Sequence, residues 1–226
     1  FALDQGNFNH PTLPRPLTDL SLRGRYEGKR LMIEKLAGKC GTAELLLACE
    51  RVGWGDHAPL GLHAQVTGLP LDTTLAGVLP EQLLRMWTRY DPSGYVDADL
   101  KLTFNGQDWF PQLMVVCQGV SFTETRHFPY QLEQGTGTIF FQRSASEPSG
   151  RLKLDLIASG RGRPIRIVGE FTDLFPESTY QNSEHKSGPP GWVEVSGTQI
   201  PIHARLVNAL KPDAQRIVRS LQPAGN

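Results

Sequence analysis

The chain contains a stretch of itself. Leu69-Pro70-Leu71-Asp72-Thr73-Thr74-Leu75-Ala76-Gly77-Val78-Leu79 returns as Ile200-Pro201-Ile202-His203-Ala204-Arg205-Leu206-Val207-Asn208-Ala209-Leu210. The match runs on without a gap until Pro92-Ser93-Gly94 falls on Pro223-Ala224-Gly225. Apolar positions are kept in kind, with Leu75 on Leu206, Leu79 on Leu210, Met86 on Ile217 and Trp87 on Val218. A tandem unit restricts the possible folds, because each unit leaves an apolar face that stacking must complete.

A second match lies upstream of each copy. Leu13-Pro14-Arg15-Pro16-Leu17 corresponds to Phe128-Pro129-Tyr130-Gln131-Leu132, and Arg30-Leu31-Met32-Ile33 to Arg151-Leu152-Lys153-Leu154. The growing offset places insertions near Ser144 to Gly150 and near Tyr180 to Pro190, both rich in Ser, Pro and Gly as surface loops are. The expected units are 1–126, with a helical insert at about 72–91, and a truncated 127–226, with a loop at about 178–191 and a helical insert at about 203–221.

Between the inserts the chain reads as strands. In Tyr95 to Asn105, Val96, Ala98, Leu100, Leu102 and Phe104 alternate with Asp97, Asp99, Lys101, Thr103 and Asn105. That period of two sends all apolar side chains to one sheet face. Leu113-Val115-Cys117, Leu20-Leu22, Leu31-Ile33, Leu62-Ala64-Val66, Leu152-Leu154-Leu156, Ile165-Ile167 and Val193-Val195 repeat the theme. Clean alternation implies antiparallel sheet with one wet face. Glu27-Gly28, Asn105-Gly106 and Pro148-Ser149-Gly150 read as turns. In the insert, Asp72 is placed to cap a short helix carrying Leu75, Val78 and Leu79; Pro80 restarts it; Leu83, Met86, Trp87 and Tyr90 form a second apolar stripe. The second copy offers Leu206, Ala209, Leu210, Ile217, Val218 and Leu221.

Few helical residues must then cover many strands. The sheet can fold into a sandwich, curl into a trough capped by its helices, or leave its apolar face to a partner such as lipid tails. The candidates for such a face are Val96, Ala98, Leu100, Leu102, Phe104, Leu113, Val115, Leu152, Leu154, Leu156, Ile165 and Ile167. The same residues would equally build a closed protein core, since a lipid tail and a Leu side chain offer the same kind of surface.

Other chemistries find little footing. Lys+Arg and Asp+Glu are equal at 23 each, which gives no electrostatic basis for nucleic-acid binding. Arg161, Arg163 and Arg166 read as a solvated strand face. There is no Gly-x-Ser-x-Gly, and His10, His57, His63, His127, His185 and His203 are scattered. Cys40, Cys49 and Cys117 have no metal-ligand spacing, so neither a catalytic residue nor a metal nor a cofactor is assigned. Asp91-Pro92-Ser93-Gly94 reads as a helix stop rather than a calcium loop, because the second copy has Gln222 in place of Asp91. Gly160-Arg161-Gly162 fits a strand turn. Trp54, Trp87, Trp109 and Trp192 are placed in packing or at sheet ends, with groove contact the alternative. No apolar run is long enough for a membrane helix, and no leader is visible at Phe1. The chain is read as a piece of a longer repeat protein.

Three stretches, Phe128 to Phe141 (FPYQLEQGTGTIFF), Gly68 to Pro80 (GLPLDTTLAGVLP) and Asp91 to Leu102 (DPSGYVDADLKL), make the chain resemble the AsmA/TamB group of bacterial envelope proteins. Leu13 stands where an aromatic is expected, and His203 replaces the Asp of the helix start. The resemblance implies a mainly β chain with short helices (α+β). Its shape would be an elongated, curled antiparallel β-sheet groove built from tandem repeats, with a short helical hairpin per repeat. It implies a periplasmic, cell-envelope location, with the full-length protein anchored to the inner membrane. It also implies phospholipid acyl chains as cargo, membrane association through parts outside this chain, possible envelope protein partners, and a role in phospholipid transport between membranes or outer-membrane assembly without covalent chemistry. The alternatives are a structural or adhesive β-repeat scaffold with a closed core and, behind it, a hydrolytic or carbohydrate-active β-domain.

Overall fold

The computed structural model describes residues 1–125, 128–174, 190–199, 204–210 and 212–221. Eleven strands form one sheet in which every strand pairs antiparallel with its neighbours in sequence. They are β1 (Ala2–Phe8), β2 (Leu17–Glu27), β3 (Arg30–Cys40), β4 (Ala43–Val52), β5 (Leu60–Leu71), β6 (Ser93–Phe104), β7 (Trp109–Glu124), β8 (Phe128–Ser144), β9 (Glu147–Gly160), β10 (Arg163–Thr172) and β11 (Gly191–Gly197). Two helices, α1 (Thr73–Ala76) and α2 (Glu81–Tyr90), join β5 to β6. Two more, α3 (Ala204–Ala209) and α4 (Pro212–Leu221), follow β11. The fold is thus mainly β, as the alternation predicts, and it is an open, curled sheet rather than a sandwich.

The paired helices repeat. Each position of α2 plus the repeat offset gives the same position of α4, so Glu81 falls on Pro212 and Tyr90 on Leu221. Asp72 caps α1 as expected, its Oδ1 accepting from the Leu75 amide at 3.0 Å. The matching Ile200 to His203, residues 178–189 of the expected 178–191 loop, and Pro223-Ala224-Gly225 lie outside the described residues, as do His127 and His185 and the side chain of Leu221, while Gly191 at the loop's expected end already opens β11.

One sequence expectation is corrected. Pro148-Ser149-Gly150 is not a turn, and Ser144 to Gly150 is not an inserted loop: the chain reverses at 145–146 and β9 already begins at Glu147. Pairing of Ser144 with Glu147, and of Gln142 with Arg151, carries the ladder through. Gly150 absorbs the irregularity at φ +82°, where a Cβ would strike the Phe141 ring. Cross-strand pairing has overridden local turn chemistry. By contrast, Gly28 sits at φ +59° in the β2–β3 turn, and Arg161-Gly162 turns β9 into β10.

An up-and-down sheet has two rims. One gathers the β2 start, the β3–β4 turn, the α1–α2 insert, the β7–β8 connection and the β9–β10 turn; it is the helical rim. A few residues short of it, register shifts occur at left-handed backbone positions: Asp19 (φ 54°), Gly68 (φ 67°), Gly119 (φ 68°) and Gln134 (φ 53°). Such bulges bend a strand and increase its twist, so a row of them rolls the helical end of the sheet inward.

Burial follows the roll. Leu17, Leu20 and Cys40 form one buried cluster. Val96, Cys117, Val120 and Leu156 form a second, and Tyr130, Leu132, Ala158 and Ile165 of the sheet close over Ala209 of α3 in a third. All lie in the half of the sheet nearest the helical rim. Among the described residues no large side chain is less than 2% exposed.

Candidate functional site: the inner apolar face

Side chains of directly paired residues share a face. Reading the pairs across the sheet gives one line: Leu3, Leu22, Leu36, Leu47, Ala64, Leu100, Leu113, Phe141, Leu152 and Phe171, ending at Gly191. It crosses all eleven strands with no polar residue. At about 4.8 Å between strands it is roughly 48 Å long. A parallel line runs Leu45, Val66, Ala98, Val115, Ile139, Leu154, Gly169 and Val193.

The twelve residues singled out from the sequence fall on this inner face. Leu100, Leu113 and Leu152 stand in the first line, and Ala98, Val115 and Leu154 in the second. Leu102 and Phe104 continue toward the helix-free rim, where Phe104 stacks on Trp109 with centroids 4.7 Å apart. Val96, Leu156, Ile165 and Ile167 lie toward the helical rim, and of these only Ile167 is not buried. The face thus has two zones. Near the helices it is a covered core. From Leu22 to Phe171 the first line is neither buried nor fully exposed at any member.

Sequence reasoning missed several members. Leu45-Leu46-Leu47-Ala48 is continuously apolar, so its alternation is silent; the register shows Leu45, Leu47 and Cys49 inside and Leu46 outside. Ile139 and Phe141 were hidden in a glycine-rich stretch whose Gly135 and Gly137 sit on the inner face.

The outer face carries the charge. Arg25 pairs with Glu34 at 3.0 Å, Arg30 with Glu50, and Arg166 with Asp155 at 2.9 Å. Arg151 bridges Glu147 and Glu170. Asp99 accepts from Gln65 at 2.7 Å and lies 3.0 Å from His63, and these two contacts hold its carboxyl below the ordinary carboxylate range. These are cross-strand pairs on a wet surface, where such pairs add little stability but keep the face soluble.

The helical rim is fastened by ion pairs. Arg89 of α2 donates from Nε to Glu124 at 2.8 Å, and Arg15 reaches Asp72 at 2.5 Å, holding that carboxyl below its usual range. The cysteines are free thiols. Burial pushes the Cys117 and Cys49 thiols up. Trp87 is half-buried on α2, while Trp54 and Trp192 are more than half exposed. Among the described residues no three His, Cys, Asp or Glu side chains converge, and no helix is long and apolar enough to cross a membrane. A hollow of about 390 Å³ lies away from the long apolar line, against Asp19, Lys35, Lys39, Glu44, Gln65 and Thr67.

No family model matches the chain, and neither a curated protein nor a solved structure does.

Proposed function

We propose that the inner face is a trough for lipid acyl chains, and that the protein is an envelope component of the AsmA/TamB kind that passes phospholipid between membranes or supports outer-membrane assembly. The observation that carries the reading is the half-exposed line from Leu22 to Phe171. A scaffold with a closed core would cover these side chains as it covers Val96 and Leu156. From Ala98 to Phe104 the open face extends about 20 Å along the strand, longer than the roughly 15 Å of one leaflet's hydrocarbon.

Energetics favour passage over storage. A tail lying on an open floor is covered on one side. At about 0.8 kcal/mol per buried methylene, half coverage of a fourteen-methylene tail gives about 6 kcal/mol. A bilayer covers both sides, so lipid leaves the trough for a membrane downhill. The mechanism is passive: tails slide along the apolar line, headgroups stay in water, and no covalent step is involved. The proposed setting is the periplasm, with the inner-membrane anchor and envelope partners contributed by parts outside this chain.

The test is mass spectrometry of lipid co-purified with the protein, under native and then extracting conditions. Stoichiometric phospholipid that Leu100→Asp removes is the expected result. A monodisperse, lipid-free protein overturns the reading and leaves the scaffold.

A further inference from the structure

The inner face of the sheet is almost free of charge, and its few ionised side chains are unevenly placed. At the helical rim, Glu124 is neutralised by Arg89, and Arg163 donates to Gln199 at the end of its strand. At the opposite, helix-free rim stand Arg51 and Arg143. Arg51 pairs across the ladder with Leu31 and Leu60, which puts it on the apolar side. Arg143 follows Ile139 and Phe141 at the same alternation, beside the Gln142–Gln112 pair. Neither forms an ion pair with a described residue. Arg51 gives one bond, to the Gly55 carbonyl at 3.1 Å. The Nε of each is shut off from solvent and has no hydrogen-bond partner.

This is costly unless something uses it. On the outer face Arg25, Arg30, Arg151 and Arg166 have each found a carboxylate, whereas these two guanidiniums border an apolar floor and pair with none. The amphipathic rings of Tyr26, Trp54 and Trp109 share their rim, Tyr26 packing on Trp54 and Trp109 on Phe104. Such rings favour the boundary between hydrocarbon and water. A guanidinium fork is matched to the oxygens of a phosphate.

We infer that Arg51 and Arg143 bind the phosphates of anionic phospholipids whose tails lie on the apolar floor, which makes the helix-free rim the headgroup side of the trough. This rests on the lipid reading above and adds to it an orientation and a headgroup preference. Tails point toward the helical rim, where buried side chains end the trough. The two sites are four strands apart, about 19 Å, so each serves a separate lipid.

The test loads the whole chain from vesicles of phosphatidylglycerol and phosphatidylethanolamine in equal amounts, then reads the bound lipid by native mass spectrometry. The wild type is expected to be enriched in phosphatidylglycerol. In Arg51→Gln/Arg143→Gln the ratio of phosphatidylglycerol to phosphatidylethanolamine falls about fivefold while phosphatidylethanolamine is still carried. Because Arg51 also ties the Gly55 turn, Arg143→Gln alone is read beside it, and Arg143→Lys restores part of the preference. An unchanged ratio in folded variants overturns the headgroup site and leaves the trough standing. A wild type that takes up no lipid overturns both.

Discussion

Leu100 and Leu113 lie directly opposite each other at the centre of the sheet, across β6 and β7, and both are only partly buried. Val96 and Cys117, paired on the same two strands toward the helical rim, are both 6% exposed. The two pairs have the same chemistry and different surroundings. Leu100→Asp should therefore leave a folded protein, destabilised by no more than about 1–2 kcal/mol. Val96→Asp should cost at least about 4 kcal/mol, because the charge is buried without a partner. Urea unfolding of both variants checks this, and equal loss would mean that the floor is covered after all.

Cys49 pairs with Leu62 and with Ile33, which places its thiol on the open floor, whereas Cys117 is buried. Both thiols are pushed up by burial and resist charged reagents near neutral pH. An apolar maleimide should label Cys49 well before Cys117. Prior loading with phospholipid should slow Cys49 labelling several-fold and leave Cys117 unchanged. Equal rates for the two, or no protection, would place Cys49 elsewhere.

The bulges make a distinction among glycines. Gly119 holds φ +68° with open space where a Cβ would be, so Gly119→Asn should cost under about 1 kcal/mol, since Asn tolerates that region. Gly137 holds φ +124°, and a Cβ there would stand 2.2 Å from the Asp155 carbonyl oxygen. Gly137→Ala must push β8 from β9 and should cost more than about 3 kcal/mol. Thermal unfolding of the two variants decides it.

Asp72 joins the cap of α1 to Arg15, and its pKa is lowered first by the Arg15 hydrogen bond and then by the Leu75 amide. A carboxyl depressed on folding stabilises above its unfolded value and loses that contribution as pH falls through the folded one. Hydrogen exchange at the Leu75 amide should thus stay slow down to about pH 4 and quicken below it. Asp72→Ala should remove the dependence and about 1 kcal/mol of stability.

Glu124 binds Arg89 where α2 meets β7, and the Thr125 amide donates to the Arg89 carbonyl at 2.9 Å. Glu124→Gln should loosen α2 by about 1 kcal/mol without unfolding the sheet. Faster exchange confined to Glu81–Tyr90 is the expected signature.

Much of this protein was legible in one dimension. A period of two from Val96 to Phe104 determines a strand and the side each residue takes, because successive side chains must point to opposite faces. The Leu-Pro-Leu-Asp start and Pro80 determine where helices begin, through the bonds a cap can make and a proline cannot. The repeat announced equivalent helices at equivalent places. Four matters were settled only in space. The run Leu45 to Ala48 has no alternation, so its inner residues emerge only from pairing with β3 and β5. Pro148 to Gly150 has turn chemistry, yet the ladder with β8 holds it extended. Arg51 and Arg143 look in sequence like any exposed arginine; only the register turns them toward the floor. That Val96 is covered and Leu100 is not fully covered depends on bulges and helices distant along the chain, and a local pattern carries no record of what will pack against it.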